Sequence, residues 1–205
     1  MMSEPASSAP SSTSSEEPPA DGLPVAQTIV MVGLMGAGKS AVGRRLADRL
    51  GLPFVDADSE IEEAAGCSIE DIFERFGEAA FREGERRVMA RLLEGPAQVL
   101  ATGGGAFMDS ETRSRVRESG ISVWLSADID TLYERVMRRQ GRPLLKQDDP
   151  RAVLERLIAE RGPVYAEADI VVESEVGPIS RTVDKVERAV RDHIARHVNG
   201  EERGA

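Results

Sequence analysis

Gly33-Leu34-Met35-Gly36-Ala37-Gly38-Lys39-Ser40 combines glycines, a lysine and a hydroxyl at the spacing that lets a backbone loop hold a polyphosphate. In the pattern G-x-x-x-x-G-K-[ST] the glycines allow N–H groups to close around phosphate oxygens, the lysine reaches the β- and γ-phosphates, and the hydroxyl ligates Mg²⁺. The flanking residues suit that chemistry. Thr28-Ile29-Val30-Met31-Val32 precedes the loop as a β-branched strand, and Val42, Leu46 and Leu50 follow it at helical spacing. The loop therefore meets the partial positive charge of a helix N-terminus. A plain glycine turn with Lys39 as a solvated charge requires none of this agreement between motif and context.

Three further segments carry polar or glycine-rich chemistry. Asp56-Ala57-Asp58 follows a second apolar run, and alternation directs both carboxylates to one side while strand geometry lasts. There, one carboxylate could enter a Mg²⁺ shell while the other receives a substrate hydroxyl proton. The competing use of Asp58 is to cap a helix beginning at Ser59. Thr102-Gly103-Gly104-Gly105 holds more glycine than a simple turn needs, and such a run permits close approach of a ligand to main-chain donors. In Phe81-Arg82-Glu83-Gly84-Glu85, Arg82 and Glu85 are i,i+3 neighbours, so the carboxylate can orient the guanidinium. Arg161 stands at the expected end of a helix leading to Gly162-Pro163-Val164-Tyr165. Two arginines converging on one site recognise a carboxylate by planar, bidentate hydrogen bonds. Arg86, Arg87 and Arg113 read instead as solvated helix faces, although residue types alone do not choose among the arginines.

These residues need a scaffold. Apolar strand candidates at Thr28–Val32, Pro53–Asp56, Gln98–Ala101, Ile121–Leu125 and Ile170–Val172 alternate with helical segments, the last striped by Val183, Val186, Val190 and Ile194. Short runs rich in Val, Ile and Leu suit a parallel sheet covered on both faces. The expectation is one three-layer α/β domain over residues 25–200 with five parallel strands, a single core, and ligands bound beyond the strands' carboxyl ends.

Residues 1–24 are dominated by Ser, Pro, Ala and Glu and hold too few large apolar residues to offset chain entropy, which predicts a disordered tail. The tail lacks the basic and apolar regions of a secretory signal. Residues 201–205 are expected to be a flexible C-terminus. The 205-residue chain is 40% hydrophobic and 30% charged, ordinary for a globular enzyme. Its formal net charge of −10 argues against nucleic-acid binding by phosphate neutralisation. One cysteine, Cys67, excludes an internal disulfide, and two histidines provide no thiol/imidazole zinc set; Cys67 reads as a packing residue. No apolar stretch approaches the roughly 20 residues of a membrane span, so a cytoplasmic protein without membrane partners is expected.

The motifs in order, GLMGAGKS at 33–40, DAD at 56–58, FREGE at 81–85, GGG at 103–105, RPLL at 142–145 and ERGPVY at 160–165, resemble the shikimate kinase family from Ile29 to the final helix. The resemblance implies transfer of the ATP γ-phosphoryl to the 3-hydroxyl of shikimate, on the way to chorismate and the aromatic amino acids; a monomer is expected, although the residues themselves do not fix the oligomeric state. The resemblance also implies a P-loop nucleoside monophosphate kinase-like fold with strand order 2-3-1-4-5, a substrate-binding region around 57–86 and a lid around 140–150. The implied ATP-binding set is Gly36, Ala37, Gly38, Lys39, Ser40, Ala41, Arg135, Arg142 and Pro178, with Arg135 and Pro178 enclosing the adenine. Ser40 would bind Mg²⁺ directly and Asp56 through water. Asp58 would bind the shikimate hydroxyls and accept the nucleophile's proton; Arg82, Arg161, Gly103, Gly104 and Gly105 would bind the substrate, with Glu85 a secondary contact. Lys39, Asp58 and Arg142 form the implied catalytic set. Ala41 departs from the family's frequent threonine, which removes a side-chain contact to the α-phosphate and leaves that group to the loop amides. Alternatives on other chemistry are a kinase for another small acceptor, such as gluconate, and a nucleotide-binding module without turnover.

Overall fold

Thr28–Val32 is buried along its whole length, which a strand achieves only with helices over both faces of its sheet. In the computed structural model, which describes residues 25–138 and 149–201 with side chains as far as His197, this segment is the central strand β1. It pairs in parallel with β3 (Val99–Ala101) on one side and β4 (Gly120–Ser126) on the other. The edges are β2 (Phe54–Asp56) and β5 (Ile170–Glu173), giving the order 2-3-1-4-5. Each strand lies within one residue, at either end, of the run expected from sequence. The expected tail, Arg142 and most of the expected lid lie outside the described residues.

Seven helices among the described residues connect and cover the strands. They are α1 (Lys39–Leu50), α2 (Ala57–Ala65), α3 (Ile69–Leu93), α4 (Ser110–Ser119), α5 (Ile129–Met137), α6 (Pro150–Tyr165) and α7 (Ile179–Glu201). The start of each of several helices is fixed by a side chain that accepts an unpaired first-turn N–H. Ser68, Asp109, Asp128 and Asp149 do this for α3, α4, α5 and α6. Helix α6 does not stop at Arg161 as expected but continues through Pro163 to Tyr165. Proline's fixed φ is helical, and near the end of a helix its missing N–H forfeits a single bond.

The main core joins β1, β3 and β4 to Val42 and Leu46 of α1, Leu154 of α6 and the Val183, Val186, Val190 stripe of α7. A second, smaller cluster corrects the expectation of a single core: Ile61 of α2 packs with Ile72, Phe81 and Val88 of α3, and Cys67 lies against it. Ala57 of α2 and Met89 and Leu93 of α3 belong to the main core, whereas Ile61, Ile72, Phe81 and Val88 cover one another. Gly77 breaks α3 with φ 81° and ψ 174°, which turns its first part back over α2.

Candidate active site

The phosphate-binding loop occupies the turn between β1 and α1, at the carboxyl end of the central strand. Gly33 has φ 131°, and a Cβ there would lie 2.6 Å from the Leu125 carbonyl oxygen, so only glycine lets the loop pass β4 so closely. Lys39 Nζ donates to the carbonyls of Gly33 at 2.7 Å and Leu34 at 3.0 Å. Ser40 Oγ donates to Asp56 Oδ2 at 2.7 Å, and Asp56 Oδ1 accepts the Asp58 N–H at 3.1 Å. Asp56, not Asp58, is therefore the cap, and the helix begins at Ala57 instead of Ser59. A hydroxyl and a carboxylate in contact beside a phosphate loop fit Mg²⁺, which takes hard oxygens and keeps several sites for water and substrate phosphate. Among the described residues no cluster of three or more His, Cys, Asp or Glu could hold a metal by itself, so protein oxygens would be a minority of that shell.

The acceptor side is built on the glycine triplet after β3. A Cβ on Gly103 would fall 2.7 Å from Asp58 Oδ1 and 3.1 Å from Glu85 Oε1, so two carboxylates lie over this residue. One on Gly105 would fall 2.8 Å from the Arg82 Cζ, which places the guanidinium directly against the triplet. Arg82 Nη1 donates to Glu85 Oε2 at 2.7 Å, and Glu78 takes two longer bonds from the opposite edge of the same guanidinium. Glu85 is only 4% exposed. Burial pushes its carboxyl above the ordinary range, Arg82 pulls it back, and the nearby Asp58 and Asp109 charges push it up again. Arg161 Nη1 donates to the Gly104 carbonyl at 2.9 Å. The structure thus gathers Asp58, Arg82, Glu85, Arg161 and Gly103–Gly105 at one end of a cleft of about 740 Å³ whose other end is lined by Gly36–Ala41.

Arg135 lies at the nucleotide end. Its Nη1 donates to Ser174 Oγ at 2.9 Å and to the Ala37 carbonyl at 3.3 Å, while Nη2 donates to the Glu175 carbonyl at 2.9 Å. The side chain thereby ties the phosphate loop to the turn before α7. Gly177 and Ile179 line the cleft, whereas Pro178 between them does not. Arg113 is not the solvated residue expected: its guanidinium donates to the carbonyls of Phe107 and Met108 at 2.8 and 2.9 Å, closing the short turn after the glycine triplet. Glu78 was missed as a partner of Arg82, although its i,i+4 spacing was the available signal. Tyr165 was also missed. Its phenol donates to the Gly104 carbonyl from a position 61 residues away, a contact that no local pattern announces.

A phosphate loop at the carboxyl edge of a 2-3-1-4-5 sheet, sharing one cleft with paired arginines and carboxylates, defines a P-loop kinase of small anionic acceptors. A family model described as shikimate kinase matches residues 35–191. The shikimate kinase of Paramagnetospirillum magneticum is 65% identical over 150 residues, covering 73% of this chain and 77% of that one. That of Rhodopseudomonas palustris is 57% identical over 166 residues, covering 81% and 82%. The solved shikimate kinase from Acinetobacter baumannii in complex with shikimate superposes with a TM-score of 0.78 at 38% identity, covering 82% of this chain and 94% of that one. The chain belongs to the shikimate kinase family.

Proposed function

We propose that this chain transfers the γ-phosphoryl group of ATP to the 3-hydroxyl of shikimate with the residues of the cleft in the following roles. The observation that carries the reading is the meeting of Arg82, Arg161, Asp58 and the glycine triplet in the cleft that the phosphate loop opens into. Lys39 and the amides of Gly36–Ala41 hold the phosphates. Ser40 and Asp56 hold Mg²⁺, which when bound offsets charge on the β- and γ-phosphate oxygens. Arg82 and Arg161, with N–H groups around Gly104, fix the shikimate carboxylate and so aim the hydroxyl at the phosphorus. Glu85 keeps Arg82 in place. As the hydroxyl oxygen bonds to the γ-phosphorus and the bond to the bridging oxygen breaks, the hydroxyl proton passes to the Asp58 carboxylate and ADP leaves. Positioning and charge stabilisation are most of what such a transfer asks of a protein. The family resemblance alone supports Arg142 as the group that meets the transferring phosphoryl, and Arg135 with Pro178 as adenine contacts.

We take the chain to act as a cytoplasmic monomer without nucleic-acid or membrane partners. The net charge of −10 supports the lack of nucleic-acid binding by phosphate neutralisation, and no helix among the described residues is long and apolar enough to cross a membrane. The test is ADP release from Mg-ATP with shikimate, with gluconate and with no acceptor, alongside mass detection of the phosphorylated product. Shikimate-dependent release is expected. Release that shikimate does not raise would overturn the reading, and nucleotide binding with no turnover would favour a binding module.

A further inference from the structure

Tyr165 closes α6 and is 1% exposed, with its ring stacked on Trp124 at 5.9 Å between centroids. Its hydroxyl nevertheless reaches a main-chain oxygen of the acceptor site, the Gly104 carbonyl. Arg161, one turn earlier on the same face of α6, donates to that oxygen as well. A run of three glycines has no side chains to hold it and must be anchored from outside. Its entry is fixed by Thr102, whose Oγ1 donates to the Met31 carbonyl at 2.9 Å, and its exit by the Met108 N–H to the Gly105 carbonyl at 3.0 Å. Between them the Ala106 N–H donates to the Gly103 carbonyl at 3.3 Å, a long turn bond that spans Gly104 and Gly105, while the Gly104 carbonyl itself is held by α6. Because the C=O and N–H of a trans peptide point opposite ways, pinning the Gly104 carbonyl toward α6 turns the Gly105 N–H away from it, at the residue against which Arg82 lies.

We propose that Tyr165 is a positioning residue for the acceptor's carboxylate: its buried phenol pins the Gly104 peptide so that Arg161 and the glycine-loop N–H groups meet one anion in register. This rests on the reading of the cleft given under Proposed function. Arg161 divides its donors between the Gly104 carbonyl and the anion, and Tyr165 holds the peptide when Arg161 turns to the substrate. Burial pushes the phenol up to about 12, against the opposing pull of Arg161, so it stays a neutral donor at any working pH and takes no part in proton transfer.

The test is Tyr165→Phe in the full chain, which keeps the ring on Trp124 and removes only the hydroxyl. Binding of shikimate is followed by emission of Trp124, the chain's one tryptophan, and turnover by steady-state kinetics with shikimate and with its neutral carboxamide analogue. We expect shikimate Kd and KM to rise about three- to tenfold, the factor of one hydrogen bond, with kcat, ATP KM and carboxamide kcat/KM within about twofold of wild type. The ratio of the two acceptors does not depend on the folded fraction, so loss of stability cannot imitate the effect. Equal losses on both acceptors, a matching rise in ATP KM, or no change at all would overturn the inference while leaving the kinase reading intact. Wild-type protein that does not bind shikimate would overturn both.

Discussion

Replacing Arg82 with alanine removes a substrate contact and a partner of a buried charge, and the two losses can be separated. The Glu85 side chain is 5% exposed and lies 2.7 Å from Arg82 Nη1. Stripping one member from a fully buried pair costs about 3–5 kcal/mol. Arg82 is itself 31% exposed, so water reaches the gap and the cost falls to about 1–3 kcal/mol, which lowers Tm by about 2–12 °C in a domain of this size. The loss depends on pH with a definite sign. The Glu85 carboxyl is already raised by burial, and without Arg82 it rises further, so the folded protein binds the proton more tightly than the unfolded chain. Its contribution is most favourable below the ordinary carboxylate range and is lost as pH rises through the folded value, so Arg82→Ala is mildest in acid. Adding Glu85→Gln removes the buried charge and should recover most of the Tm while leaving shikimate affinity low. Arg82→Lys, which keeps the charge and loses the planar fork, should weaken shikimate binding by about 1.5–3 kcal/mol, roughly 10- to 150-fold. Thermal melts at acid and neutral pH and kinetics with both substrates varied are the measurements. If the double variant regained shikimate KM along with Tm, Arg82 would serve only the fold; if Arg82→Ala melted like wild type at neutral pH, the burial reasoning would be wrong.

Lys39→Ala should lower kcat by about two to three orders of magnitude with Tm nearly unchanged, because the ammonium compensates phosphate charge and supports no core; full turnover by the folded variant would refute the assignment. Asp56→Ala removes both the acceptor of Ser40 and the cap of α2, so Tm should fall with a loss of about 1 kcal/mol, and the Mg²⁺ concentration for half-maximal rate should rise; a shift in Tm alone would leave Asp56 a structural residue. Burial, then the neighbouring His197, holds His193 below its ordinary value of 6.5. Its contribution to stability is present above pH 6.5 and lost as pH falls toward the folded value, so His193→Gln should flatten the acid limb of Tm against pH, and an unchanged limb would refute this.

The sheet and the phosphate loop were legible because each rests on local pattern: β1 is apolar at every position after Thr28, and the motif spacing is contiguous. The Arg82–Glu85 pair was legible for the same reason, being one helical turn apart. The second cluster was not. Ile61, Ile72, Phe81 and Val88 lie on two helices separated by Gly66 and broken at Gly77, and periodicity does not say whether such faces meet the sheet or each other. Asp56 and Asp58 are chemically identical, and only the chain's turn into α2 makes one the cap and sends the other over Gly103. Arg113 and Tyr165 act on main-chain oxygens, which carry no residue identity. Tyr165 in particular reads as a core aromatic, since nothing in Gly162-Pro163-Val164-Tyr165 indicates that its hydroxyl meets Gly104.

Lys39 Nζ makes hydrogen bonds to two carbonyl oxygens of its own loop, those of Gly33 and Leu34. A ligand that takes the ammonium from this arrangement makes an exchange of partners, and its net gain is the difference between phosphate oxygens and two fixed dipoles. A weakly charged anion gains little by such a trade, whereas a triphosphate, which also engages the loop's N–H groups, gains on several contacts together. The loop's carbonyls thus act as an internal competitor that sets a threshold of ligand charge, favouring nucleotides over stray inorganic anions at the same amides.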